Sequence, residues 1–248
     1  MSDKTPPHAT KSAAISGITR RRFGLTFAGA GAACLAPLLA GCAGPVHSLR
    51  YKLALEVETP EGLKTGASVI ELRAADGPRS LAGLGAGHSG VVAQRGEAVA
   101  VDLGQRGVLF ALLSADGNRK KSLQEIDFVF AAFPREGRQA YDEIMRGLAK
   151  SKPKTQIPLD ILPMLVRFRD IADPKSVERV DPNNLAAAFG PGVTLKRATL
   201  EITDQPITTG IEKRLGWLRG MMTNIDGTSV TTSNALPNTL NSGDFRKF

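Results

Sequence analysis

The chain has 248 residues, with 32 Lys and Arg against 24 Asp and Glu, for a formal net charge of +8. Hydrophobic residues make up 42% and charged ones 23%, which suits a chain that buries a core and excludes a disordered or fibrous one. The two cysteines, Cys34 and Cys42, both fall in the N-terminal segment, so the remainder has neither a disulfide framework nor a thiolate metal site.

Taken in chain order, the first feature runs from Thr19 to Cys42. Arg20, Arg21 and Arg22 form a positive region, a weakly apolar run follows from Phe23 to about Leu39, and small residues precede Cys42. That is the layout of a cleavable export signal. The apolar run is rich in Gly and Ala and contains Pro37, whereas a permanent span wants about 20 strongly apolar residues. A transmembrane helix is the weaker reading.

Thr19-Arg20-Arg21-Arg22-Phe23-Gly24-Leu25 resembles the twin-arginine export motif, with Gly24 where the motif usually has Leu. Leu39-Ala40-Gly41-Cys42 is similar to the lipobox of bacterial lipoproteins. The resemblance implies that a diacylglycerol is linked to Cys42, that residues 1–41 are removed, and that the new amine is acylated. Each buried CH₂ contributes about 0.8 kcal/mol, and two acyl chains suffice for stable anchoring. Ala43 follows the cysteine, where an Asp would imply inner-membrane retention, so the outer membrane is favoured if the cell has two. Loss of residues 1–41 leaves 27 basic and 23 acidic side chains. A surplus of +4 is a solubility term and does not point to nucleic acid.

Residues 42–49 read as the lipidated cysteine and a tether, residues 50–225 as one globular domain, and residues 226–248 as an extension rich in Ser, Thr and Asn. From Arg50, the residues Tyr51, Leu53, Leu55 and Val57 alternate with polar or small ones, which predicts a half-buried strand. Thr59-Pro60-Glu61-Gly62 is turn chemistry, and Thr65 to Arg73 predicts a second strand. Residues 74–90 form a Gly-rich loop that includes His88 and Ser89, the candidate functional loop. Its Gly83-Leu84-Gly85-Ala86-Gly87-His88 lacks the final glycine of a dinucleotide fingerprint and follows an antiparallel strand, so no phosphate cradle is expected.

Two more strands are predicted over Glu97 to Leu103 and Val108 to Leu113, around Gly104-Gln105-Arg106-Gly107. The apolar segment from Ser122 to Phe133 is of undecided type. Tyr141, Ile144, Met145 and Leu148 have helical spacing within Gly137 to Lys150. Lys150, Lys152 and Lys154 read as its solvated end. Leu162 to Ile171 predicts a strand. Asp173-Pro174 and Asp181-Pro182 each predict a short helix. Val193 to Thr203 alternates as a strand. Thr209-Gly210-Ile211-Glu212 matches a capping box opening a helix through Leu215, Trp217 and Leu218. The tail from Asp226 reads as an extended arm over the domain or a partly disordered segment.

Strands dominate without regular βαβ alternation, so the expected class is α+β, a mostly antiparallel sheet with a few packed helices. A β-sandwich with helical decorations is the alternative. Segments from Tyr51 to Gly62, Val69 to Glu71, Val180 to Leu185, Phe189 to Gly192, Glu201 to Thr203 and Thr208 to Leu215 resemble an uncharacterised proteobacterial lipoprotein family. The resemblance implies one coherent domain and carries over no catalytic residue.

Chemistry is sparse. After the signal only His47 and His88 remain as histidines, so no zinc or copper site, and no cofactor, is expected. His88 and Ser89 sit in Gly87-His88-Ser89-Gly90, without a strand-to-helix nucleophile elbow. Asp226-Gly227-Thr228 resembles the aspartic-protease triplet but occurs once and reads as a turn. Glu56 and Glu58 read as the solvent face of a strand, Asp181 and Asp204 have no specific spacing, and Trp217 reads as core. The expected protein is a membrane-anchored envelope lipoprotein facing the periplasm, a binding or structural module. A lipid-anchored enzyme and an envelope or phage-related assembly factor are the alternatives. Its partners are the bilayer, through acylated Cys42, and an envelope protein; oligomeric state is not readable from the residues.

Overall fold

The computed structural model describes residues 46–75, 90–114, 129–133 and 141–248. β1 (Val46–Thr59) and β2 (Gly62–Ala75) form a long hairpin. Its register runs unbroken from Val46↔Ala75 to Thr59↔Gly62. The loop closes on Gly62, whose φ of 110° favours glycine, and the Thr59 hydroxyl donates to the Gly62 carbonyl at 2.7 Å. The period-two pattern decides which face is buried: Leu49, Tyr51, Leu53, Leu55 and Val57 are all at most 2% exposed.

The remaining strands are β3 (Gly90–Glu97), β4 (Val99–Asp102), β5 (Val108–Ala111), β6 (Lys154–Gln156), β7 (Leu165–Phe168), β8 (Val177–Arg179), β9 (Thr194–Ile202) and β10 (Arg246–Lys247). They form two antiparallel sheets, one ordered β10-β3-β2-β1-β9-β6 and the other β4-β5-β7-β8. Besides the helical residues 129–132, four short helices lie among the described residues: α1 (Tyr141–Ser151), α2 (Leu185–Phe189), α3 (Leu236–Thr239) and α4 (Ser242–Phe245). The expected α+β class, mostly antiparallel sheet, is what is seen.

The chain changes sheets between β3 and β4. Gly66 on β2 marks where the second sheet lies on the first: a Cβ there would sit 2.2 Å from the Ala100 carbonyl oxygen of β4. Between the sheets the inward side chains of β1, β2 and β9 share one core with Val99, Val101, Leu109, Ala111 and Leu165. Ile144 and Met145 of α1 pack into the same core. The opposite face of the second sheet carries Phe110, Leu112, Val166 and Phe168. It is covered by Ile211, Leu215, Leu218, Ile225, Leu240 and Phe245 from the C-terminal stretch. The domain therefore has three layers: sheet, sheet, and an irregular C-terminal cover.

Several expectations change. β1 begins at Val46, so residues 46–49 of the expected tether are already strand. β3 was not predicted, because Gly90 to Glu97 holds Gln94, Arg95 and Gly96 among its few apolar residues. The strand expected over 162–171 is only Leu165–Phe168. Asp173 does cap, accepting from the Lys175 amide at 2.9 Å, but the element is a single 3₁₀ turn. Asp181 instead closes a turn onto the Asn183 amide, and the helix starts three residues later with Asn184 accepting from the Ala187 amide. Of the segment from Ser122 to Phe133, residues 129–132 are helical and the earlier part lies outside the described residues.

Two corrections are larger. The helix expected from Thr209 is a pair of 3₁₀ turns, Ile211–Lys213 and Gly216–Leu218, and no side chain of the 209–212 box caps it. The buried Glu97 carboxylate takes that role, accepting from the Gly210 and Ile211 amides at 2.8 Å each. The tail from Asp226 does lie over the domain, as one of its two readings has it, but as folded, packed chain with two short helices rather than an extended arm. Leu240 and Phe245 are fully buried, and β10 pairs with β3 through Arg246↔Glu97 and Lys247↔Gly96.

Candidate functional site

The sequence-predicted site residues Arg20, Arg21, Phe23, Leu39, Gly41 and Cys42 lie outside the described residues, as do His88 and Ser89. The described strands fix where those segments attach. Val46 pairs with Ala75, and Ala75 pairs with Gly90. The chain that follows Cys42 and both flanks of the His88 loop therefore meet at one end of the first sheet.

That end is polar and charge-paired. Arg50 lies opposite Glu71, and its Nε donates to the Glu71 carboxylate at 3.1 Å; Arg73 is 3.9 Å from the same group. Glu71 has a side chain only 8% exposed, so the two guanidinium groups supply the neutralisation a buried carboxylate needs. A small cavity of about 120 Å³ opens beside them, lined by Ser48, Arg50, Ala149 of α1, Thr203 and Asp204 among others. Lys152 pairs with Asp204 at its rim. Among the described residues this cup has paired charges but no activated nucleophile.

A second groove of about 290 Å³ runs over the second sheet, with Val108, Phe110 and Phe168 as floor and Arg169, Asp170 and Ile171 as rim. An aromatic cluster backs it: Phe110–Phe168, Phe168–Trp217 and Trp217–Phe245 have ring centroids 5.8, 5.4 and 5.6 Å apart, all edge-on. Trp217 donates its indole N–H to the Ile171 carbonyl at 3.0 Å. Its ring packs with the core, in line with the sequence reading.

The acidic residues weighed as catalysts are engaged elsewhere. Glu56 accepts from Arg197 at 2.8 Å and Glu58 from Lys196 at 2.8 Å, across the solvent face of β1 and β9. The Arg197 hydrogen bond holds the Glu56 carboxyl below its ordinary value. Asp226 accepts from the Thr228 amide and hydroxyl and from Asn238, so Asp226-Gly227-Thr228 is a turn, and those bonds lower its pKa. Glu61 accepts two bonds from Arg106, at 2.9 and 3.1 Å, which hold its carboxyl at about 2. Among the described residues no three His, Cys, Asp or Glu side chains converge on a common metal position. No described helix is long and apolar enough to cross a membrane.

Sequence reasoning missed two features. Glu97 anchors the C-terminal cover, yet a single Glu after Gly96 carries no signal of burial. The other is an edge: β2 is paired along its whole length with β1, but on its far side, among the described residues, only with β3 over Glu71–Ala75 and with Thr208 at Val69. Turn and strand patterns predict pairing, not where pairing stops. No family model, no curated protein and no solved structure matches the chain.

Proposed function

We propose that the chain is a lipid-anchored envelope protein whose domain serves as a binding or structural module facing the periplasm. The observation that carries this reading is Leu39-Ala40-Gly41-Cys42, set behind an apolar run and Arg20-Arg21. The start of β1 supports it. Four residue steps separate Cys42 from Val46, at most about 14 Å of extended chain. Acylation of Cys42 therefore holds the Arg50, Glu71 and Asp204 end of the sheet close to the headgroups. The outer membrane is the expected home, because Ala43 follows the cysteine.

The test is metabolic labelling with a clickable palmitate analogue, followed by membrane fractionation. The parent chain should label and sediment with membranes, and Cys42→Ser should do neither. Undiminished labelling or sedimentation of Cys42→Ser overturns the anchor. Arg20→Lys with Arg21→Lys should leave the chain unexported; continued export would assign it to the general secretory route.

A further inference from the structure

The outer edge of β2 carries unused backbone groups. Val69 donates its amide to the Thr208 hydroxyl at 2.8 Å and accepts from the Thr208 amide at 3.0 Å, so its N–H and C=O both point away from β1. The β1–β2 register has no bulge. Alternation then turns the N–H and C=O of Ala67, Thr65 and Leu63 toward the same side. None of these six groups has a hydrogen-bond partner among the described residues. The three side chains are exposed, Leu63 by 46%. The outermost strands of the two sheets, by contrast, are two to four residues long, the usual protection of an edge.

We propose that residues 63–67 of β2 dock an extended segment of another envelope protein. That segment carries uncharged, small or β-branched side chains on the face of Leu63, Thr65 and Ala67, and an acidic side chain toward Lys64. Strand addition supplies the backbone bonds, and alternate side chains set the choice of partner. Lys64 makes no ion pair within 4 Å among the described residues, and the nearby Asp102 is already bonded to Arg214 at 2.9 Å. An added acid therefore meets a cation that acts on Asp102 only at a distance and has no direct ion pair among the described residues.

A second copy does not fit this edge. Antiparallel pairing of β2 with β2 reverses the partner's β1, so the two chains would send their Cys42 ends in opposite directions. One membrane cannot hold both, an argument that rests on the anchor proposed above.

The experiment places photoreactive benzoylphenylalanine at position 63 of the full chain in living cells, with position 230 as an exposed control. The expected result is an adduct from position 63, absent from position 230. Its cross-linked peptide should be an uncharged, alternating segment of one envelope protein. The adduct should fall at least about tenfold in Thr65→Pro, which removes an outward N–H that β1 does not use. Thr65→Lys, an edge-blocking charge opposite Glu56, should do the same and serves if the proline variant does not fold. No adduct, an adduct to a second copy, or an adduct indifferent to both variants overturns the proposal. Fractionating the same cells separates this from the anchor: a released chain that still forms the adduct sinks the anchor alone.

Discussion

The contact at Gly66 makes a prediction whose sign depends on the sheet packing. Replacing glycine by alanine at a strand position of ordinary φ normally stabilises by about 0.4–1 kcal/mol, because the unfolded chain loses freedom. At Gly66 the new methyl carbon would lie 2.2 Å from the Ala100 carbonyl oxygen, 2.8 Å from its carbon and 2.9 Å from a Val101 methyl. Carbon and oxygen rest at about 3.3 Å or more, so the strands must part by about 1 Å. Both obstacles at Ala100 are backbone. β2 is held by its register with β1, and β4 by its pairing with β5. Overpacking costs about 1–3 kcal/mol, and rigid neighbours place this case at the upper end. Gly66→Ala should therefore be destabilised by about 2–3 kcal/mol net, which lowers the melting temperature by about 4–12 °C for a domain of this size. Gly147 is the matched control. It is exposed in α1 with nothing within 4 Å of an added Cβ, so Gly147→Ala should gain about 1 kcal/mol and melt about 2–4 °C higher. Thermal melts followed by circular dichroism, repeated as urea titrations, measure both. A Gly66→Ala chain that melts at or above the parent would refute the close stacking of β4 on β2.

Two further predictions concern carboxylates. Glu97→Gln keeps one acceptor but turns an NH₂ toward an amide donor, leaving one buried N–H of Gly210 or Ile211 without a partner. It should cost about 1–3 kcal/mol in urea and speed hydrogen exchange at those two amides, and an unchanged midpoint would sink the role given to Glu97. Glu61 has its carboxyl held at about 2 by Arg106, below the ordinary 4.5. Its contribution is thus complete above about pH 4.5 and is lost as the pH falls toward 2. Both partners reach solvent, so the effect is small and weakens with salt. Glu61→Gln should lie below the parent at neutral pH and converge on it in acid, and a gap that stays constant with pH would contradict the pairing.

The strands that proved readable are those in which burial and period coincide. β1 and β9 alternate because one face of each meets the core and the other meets water, and that contrast is written residue by residue. β3 was invisible because its partners on both sides tolerate Gln94 and Arg95, so its place comes from neighbours rather than from its own side chains. The capping box at Thr209 has the right residues in the right order. The local motif lost to a distant carboxylate, since Glu97 is pinned in β3 beside the same amides. The Ser-, Thr- and Asn-rich tail looked soluble by composition, yet the few apolar residues within it, Leu240 and Phe245 above all, fill a groove that only the second sheet creates. Asn238 does comparable work among polar groups, accepting from the Thr232 and Ser233 amides while donating to Asp226. The candidate edge of β2 was equally illegible, because it depends on where β3 departs.

The unbroken β1 strand has a mechanical consequence. It spans the first sheet from Val46 to Thr59, with β2 hydrogen-bonded along one side and β9 along the other from Tyr51 onward. A pull delivered at Val46 and directed along the strand loads these transverse bonds in shear, many at once, rather than opening them one by one from an end. Rupture then requires a cooperative slip of the central strand past both neighbours. A domain tugged by its own N-terminus is thus wired to resist, and its lifetime under tension is set by that slip rather than by its equilibrium stability.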